Sequence, residues 1–377
     1  EPHNGLAAMF TMMNDARQGV GLQGLSVSER SYQQALAYAK ERLQGTRKDG
    51  SRYPIIEFPD VRRMLMLMKA GTEAMRALAY VAAAEIDRSR LATDPEAKAR
   101  HFARVELYTP IVKGWLTELS IELTSHGVQV HGGMGYVEET GSAQHFRDAR
   151  ITTIYEGTTA IQANDLVGRK TLANGGAVVS ELLRDIRATA DELTATGDMA
   201  AMGADLSEAA DWAREAVDWI LGHAKQDRHA AGSASVNYLM LMGYLCGGWL
   251  MGESALRASA LLEGGMALAE PERRADLREA CWCIVEATAC LNPEEAPALA
   301  DVGDPDRAAA VRKHLASHGF ARPSRDAARE ELLAARRATR QVQLSEKLID
   351  YIYALVAATR AHPYLASGLS TRGALNL

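Results

Sequence analysis

Apolar residues recur at helical spacing along most of the chain, and that pattern predicts the elements. Alanines, leucines, Tyr32 and Tyr38 over about 6–43 predict one long helix. It closes on Lys40-Glu41-Arg42, whose cations suit the negative pole of a helix dipole. Gly45 to Pro59 reads as a loop from its Gly, Pro and charge content. Val61, Met64, Leu65, Met68, Met75 and Leu78 then form a core-facing stripe running to about Arg90. Thr93-Asp94-Pro95-Glu96 predicts a third helix start, with Pro in the first turn. Val105, Tyr108, Val112, Trp115, Leu119 and Leu123 carry that helix to His126-Gly127, where the glycine reads as its stop. A fourth helix is predicted from about Thr159 to Leu172, with Thr159 and Gln162 at capping-box spacing.

Asn174-Gly175-Gly176 reads as a boundary. Helical patterns follow near 178–193, 205–228, 233–262 and 272–290, then a Pro/Asp/Gly-rich linker from Asn292 to Asp306. The basic tail carries a stripe at Leu348, Ile352, Leu355 and Val356. The expected class is all-α: an antiparallel four-helix bundle over 1–173, an accessory helical domain over 176–295, and a helical tail over 325–377.

Composition narrows the function classes. Of 377 residues 47% are apolar and only 6% aromatic, which favours helices over sheets. A net charge of −6 offers no footprint for nucleic acid or an anionic membrane. The uncharged stretch 230–252 contains Ser233, Ser235 and Asn237, and reads as a buried bundle helix rather than a membrane span. Cys246, Cys281, Cys283 and Cys290 lack zinc-ligand spacing; free thiols in a reducing, cytoplasmic compartment are expected, and no metal. Glu1-Pro2-His3-Asn4 shows neither an initiator Met nor a signal-peptide pattern, so the chain is expected to begin within a larger protein.

The chemistry-bearing stretch is Tyr155-Glu156-Gly157-Thr158, a carboxylate on a Gly/Thr turn ahead of a helix. Such a carboxylate can act as a general base on a C–H bond if a substrate reaches it. The helix dipole favours its ionised form and burial opposes it. It can equally be a surface residue at a helix entry. Gln129-Val130-His131-Gly132-Gly133-Met134-Gly135-Tyr136 lacks the strand–turn–helix setting of a dinucleotide fingerprint; it reads as a tight turn or as a place where a ligand approaches backbone. His131 has no partner at metal spacing.

In order, that glycine cluster, Phe146-Arg147-Asp148-Ala149-Arg150-Ile151 and Ile154-Tyr155-Glu156-Gly157-Thr158-Thr159-Ala160-Ile161-Gln162 resemble the C-terminal domain of acyl-CoA dehydrogenases. Tyr38-Ala39-Lys40-Glu41-Arg42 and Pro59-Asp60-Val61-Arg62-Arg63-Met64-Leu65 resemble the end of that domain's first helix and the start of its second. Residues 176 to about 295 resemble the extra helical domain of the larger bacterial subgroup that includes 3-methylmercaptopropionyl-CoA dehydrogenases. The resemblance implies FAD as cofactor, an acyl-CoA substrate, an electron-transferring flavoprotein as acceptor, and a homodimer or tetramer. It implies Glu156 as the base that removes the α-proton. Arg17, Tyr155 and Gly157 would lie beside the substrate. Arg42, Gln129, Gly133, Thr158 and Gln162 would contact FAD, some across a dimer interface.

The N-terminal helical domain and the β-domain of that family are not found here, so this chain alone is expected to bind FAD weakly or not at all. Phe58 also stands where the family often has a His- or Gln-containing entry. The alternative is a non-catalytic helical assembly module. Separately, Gln343–Ile352, Ala358–Pro363 and Gly368–Ala374 resemble the lid of MoxR-type AAA+ ATPases, which implies Arg372 as a nucleotide-sensing arginine. With no Gly-x-x-x-x-Gly-Lys-Ser/Thr loop in the chain, that tail is not expected to hydrolyse ATP alone.

Overall fold

The computed structural model describes residues 5–224 and 228–263. Cys281, Cys283 and Cys290, the 272–290 helix, the linker and the tail with Arg372 all lie outside the described residues. Three long helices dominate: α1 (Gly5–Glu41), α2 (Pro59–Leu91) and α3 (Pro95–His131). Contacts fix their directions. Gln18 bonds Thr109 and Tyr38 stacks on His131, so α1 and α3 run the same way. Glu85 meets His101 near the end of α2 and the start of α3, so α2 runs back between them. The short helix α6 (Thr159–Asp165), extended by a π-type turn over Leu166–Leu172, returns along the seam of α1 and α3. Thr159 there meets Glu118, and Lys170 meets Glu106 at 2.8 Å. The four runs make the expected antiparallel bundle.

Asp94 starts α3 as the sequence predicts: its carboxylate accepts from the amides of Glu96 and Ala97 at 3.4 and 3.0 Å. Other expectations need correction. The 45–59 loop contains an antiparallel hairpin, β1 (Leu43–Thr46) with β2 (Arg52–Pro54), followed by a 3-10 turn. Arg47 lies over the Tyr53 ring and pairs with Glu57 at 2.6 Å, contacts that composition does not reveal. Gly127 does not stop α3. A Cβ there would sit 2.1 Å from the Ser31 hydroxyl, so this glycine permits the close crossing of α1 and α3, and the helix runs on to His131. The short helices α4 (Gly133–Tyr136) and α5 (Ser142–Thr152) occupy the stretch between α3 and α6.

α7 (Ala177–Ala195), α8 (Ala200–His223), the short α9 (Arg228–Ser233) and α10 (Ser235–Glu263) form the second helical layer. Asn174-Gly175-Gly176 is the turn that enters it, with both glycines at positive φ. The layer shares its core with the first. Trp115 of α3 meets Tyr244 of α10 edge-on at 5.6 Å, and Arg104 of α3 pairs with Asp185 of α7 at 2.7 Å. Cys246 is a fully buried free thiol in this core, and burial pushes it up to about 12. No described helix, the 230–252 stretch included, is long and apolar enough to cross a membrane.

Candidate active site

The predicted site residues fall into two groups along the α1–α3 seam, one near its middle and one at its end. The first surrounds the turn between α5 and α6. Glu156 has φ +55°, the only positive φ on a non-glycine among the described residues, and Gly157 follows at +94°. A non-glycine residue in this region costs about 1–2 kcal/mol and persists only where its surroundings enforce it. Here the amide of Thr159 donates to Thr153 O at 3.2 Å. The Gln162 side chain also reaches back, its Nε2 lying 3.3 Å from the carbonyl oxygens of both Glu156 and Gly157. A Cβ on Gly157 would come 2.7 Å from that Nε2, so only glycine admits the amide.

This overturns the capping-box reading: Thr158 is the N-cap of α6, and Gln162 spends its amide on the turn instead. Gln162 is fully buried, so its side chain reaches no surface open to a ligand, whereas Glu156 and Thr158 are exposed. Tyr155 is half-buried. Its hydroxyl donates to Gln23 of α1, and burial with the nearby Glu156 carboxylate raises its pKa.

Beneath this turn lie further charges; of these the sequence reading singled out only Arg17, and placed it beside the substrate. Arg17 is buried and pairs with Asp165 at 3.2 Å, and Arg169 approaches the other Asp165 oxygen at 3.6 Å. Thr159 donates to Glu118. Lys113 is fully buried, and its ammonium has no hydrogen-bond partner. Burial lowers Lys113 to about 8; Glu118 and Glu156 oppose the shift and Arg17 adds to it. One signal could have found Lys113: a lone cation between Thr109 and Thr117 on an otherwise apolar helical face.

The second group is Arg42, Gln129 and Gly133, all exposed. Arg42 is 25 residues beyond Arg17 on α1 and just past its end, about 37 Å along the axis. Gln129 and Gly133 lie at the same end, because Tyr38 stacks on the buried His131 at 4.4 Å. His131 Nδ1 lies 2.7 Å from Gly127 O, which makes this histidine a packing residue. α5 closes that end through Gln34, which donates to Thr140 O at 2.5 Å and meets His145 at 2.9 Å. A Cβ on Gly133 would meet nothing within 4 Å, so its backbone is open to an approaching molecule.

A carboxylate held at enforced geometry lies near the middle of the seam, and exposed donors flank an open glycine at its end. Known proteins resemble the chain over most of the described residues. Residues 3–172 match the model of the acyl-CoA dehydrogenase C-terminal domain. Residues 182–278 match a second, described as acetyl-CoA dehydrogenase C-terminal like. Over 269 residues the chain is 48% identical to the 3-methylmercaptopropionyl-CoA dehydrogenase of Ruegeria pomeroyi, covering 70% of this chain and 46% of that protein. Over 278 residues it is 34% identical to a broad-specificity linear acyl-CoA dehydrogenase of Mycobacterium tuberculosis, with the same two coverages. The chain therefore spans about half the length of the curated relatives it matches. In fold it resembles a Bacillus anthracis acyl-CoA dehydrogenase complexed with FAD, with a TM-score of 0.57 at 22% identity, over 85% of this chain and 54% of that one.

Proposed function

We propose that this chain is the C-terminal helical part of an FAD-dependent acyl-CoA dehydrogenase, with Glu156 as the base that removes the α-proton of an acyl thioester. The observation that carries the reading is the Glu156 turn: a carboxylate in a strained backbone conformation, fixed by Gly157 and the buried Gln162, and open on its outer side. Such strain recurs where a side chain must be aimed.

The residues present fit a flavin. Arg42 and Gln129 offer exposed donors suited to phosphate and carbonyl oxygens, Gly133 leaves its backbone open, and Thr158 presents a hydroxyl beside Glu156. When bound, FAD would accept the hydride that leaves the β-carbon. Glu156 takes the α-proton onto a carboxylate oxygen. Tyr155 and Gly157 shape the approach of the thioester, and Arg17 backs the turn through Asp165. Arg42, Gln129 and Gly133 would serve a flavin shared with a second copy, in keeping with a dimer or tetramer. An electron-transferring flavoprotein would take the electrons onward. The buried thiol of Cys246 is in keeping with a reducing, cytoplasmic setting.

In the complete enzyme, with its flavin-binding domains, Glu156→Gln should abolish acyl-CoA-dependent bleaching of the flavin while FAD stays bound. Bleaching at a near-normal rate refutes the assignment. A second reading, a non-catalytic helical assembly module, draws on the exposure of Glu156. A colourless oligomer that takes up no FAD, even with the remaining domains supplied, would favour it. The lid-like tail would add a nucleotide-binding element; titrating ATP into the full chain tests that separately.

A further inference from the structure

Near the candidate base the Lys113 ammonium and Gln162 Oε1 are buried without hydrogen-bond partners, as are Arg17 Nε and Asp165 Oδ1 within their own ion pair. The orientation of the Gln162 amide follows from its surroundings. Two carbonyl oxygens face one end of it, at 3.3 Å each, so that end must be the NH2, and the carbonyl end faces away from the turn. The register of the helices places Lys113 at the same level. On the α1–α3 seam, Thr109 meets Gln18, and Gly21 lies against Val112. Lys113 shares the face of Thr109 and Thr117, within this seam. α6 runs across it, from Thr159 at Glu118 to Asp165 at Arg17. Gln162 is midway between those contacts, and Lys113 is midway between the levels of Glu118 and Arg17. A buried donor and a buried acceptor at one level are each costly to leave unmet.

We propose that Lys113 is a positioning residue for Glu156: its ammonium donates to Gln162 Oε1, directly or through one bound water, and so fixes the amide that holds the Glu156 and Gly157 carbonyls. The inference rests on the reading of Glu156 as the base. The charged groups acting on Lys113 are Glu118 from its own helix, Arg17 from α1 and Glu156 from the turn. Arg17 pairs with Asp165 Oδ2, Arg169 approaches Asp165 Oδ1 and Glu118 accepts from Thr159, whereas Gln162 Oε1 is a neutral acceptor with no cation beside it. Burial leaves Lys113 with a pKa of about 8, so it carries its proton and donates at neutral pH.

The test is a double-mutant cycle with Lys113→Met and Gln162→Met. In this chain, amide hydrogen exchange at Thr159 should quicken about tenfold in either single variant and no further in the double, while α7 is unchanged. In the complete enzyme, either variant should lower the rate of flavin reduction about tenfold with little change in KM. Unchanged Thr159 exchange, or effects that add independently, overturns the inference. If Lys113→Met does not fold, the Lys113 ammonium can be titrated by nitrogen NMR in Gln162→Met. Loss of its acceptor should move the midpoint down, and an unmoved midpoint overturns the proposal. Should Glu156→Gln leave bleaching intact, the base assignment fails. Should it abolish bleaching while the cycle shows no coupling, only the role of Lys113 fails.

Discussion

At the Glu156 level, near the middle of the α1–α3 seam, charge is buried: Arg17, Asp165 and Lys113 are all at most 9% exposed. At the Arg42 end the polar groups stand in solvent, and an aromatic stack with backbone hydrogen bonds holds the frame. Burying a charge costs several kcal/mol unless paired, and a chain that needs only stability replaces it with hydrocarbon. Under the proposed function the contrast separates the two regions by kind of work: one would be an electrostatic setting for a group that moves a proton, the other a surface that meets a ligand or a second copy.

The largest effect expected from this contrast is at Asp165. Asp165→Ala leaves Arg17 buried without its carboxylate and should cost about 3–5 kcal/mol, read as a lowered denaturation midpoint. A loss under 1 kcal/mol would mean that the seam is wetter than its exposure indicates.

Next in size is a pH effect at Lys113. Its folded pKa is about 8 against an ordinary 10.5, so the unfolded chain binds more protons between those values. Below pH 8 folding bears the full cost of a buried ammonium, and stability should rise by up to about 3 kcal/mol as pH climbs from 8 towards 10.5. Lys113→Met should abolish that rise. The same slope in the variant would assign it to another group.

How much of this was legible depends on the range of the interaction. The long helices and the Asp94 cap rest on local spacing, and they stand where the sequence put them. Gly127 misled because a glycine that ends a helix and one that lets two helices cross look alike in one dimension; only the Ser31 contact separates them. Gln162 misled for the same reason: its spacing fits a cap, but its side chain is claimed by the turn six residues back. The hairpin at 43–54 depends on Arg47, Tyr53 and Glu57 meeting, and Lys113 reads as an ordinary cation until its burial is known. The sequence singled out the Glu156 turn and offered an exposed helix entry as one reading of it, while the strained φ was not legible.

The smallest stability effect belongs to the other end. Arg42→Ala and Gln129→Ala should change the stability of this chain by less than about 0.5 kcal/mol, as exposed residues do. In the complete enzyme they should nonetheless weaken FAD retention, measured as flavin content after dialysis. Unchanged flavin content would take these residues out of the cofactor's reach.

The central claim, that Glu156 exchanges a proton with the α-carbon of a bound thioester, can be isolated from the redox step. In the complete enzyme, an acyl-CoA analogue with sulfur at the β-position has no hydride to give, so exchange of its α-protons with deuterated water reports proton abstraction alone. Exchange should be rapid in the wild-type enzyme and about 10²–10⁴-fold slower in Glu156→Gln. Equal exchange in the two would contradict the account.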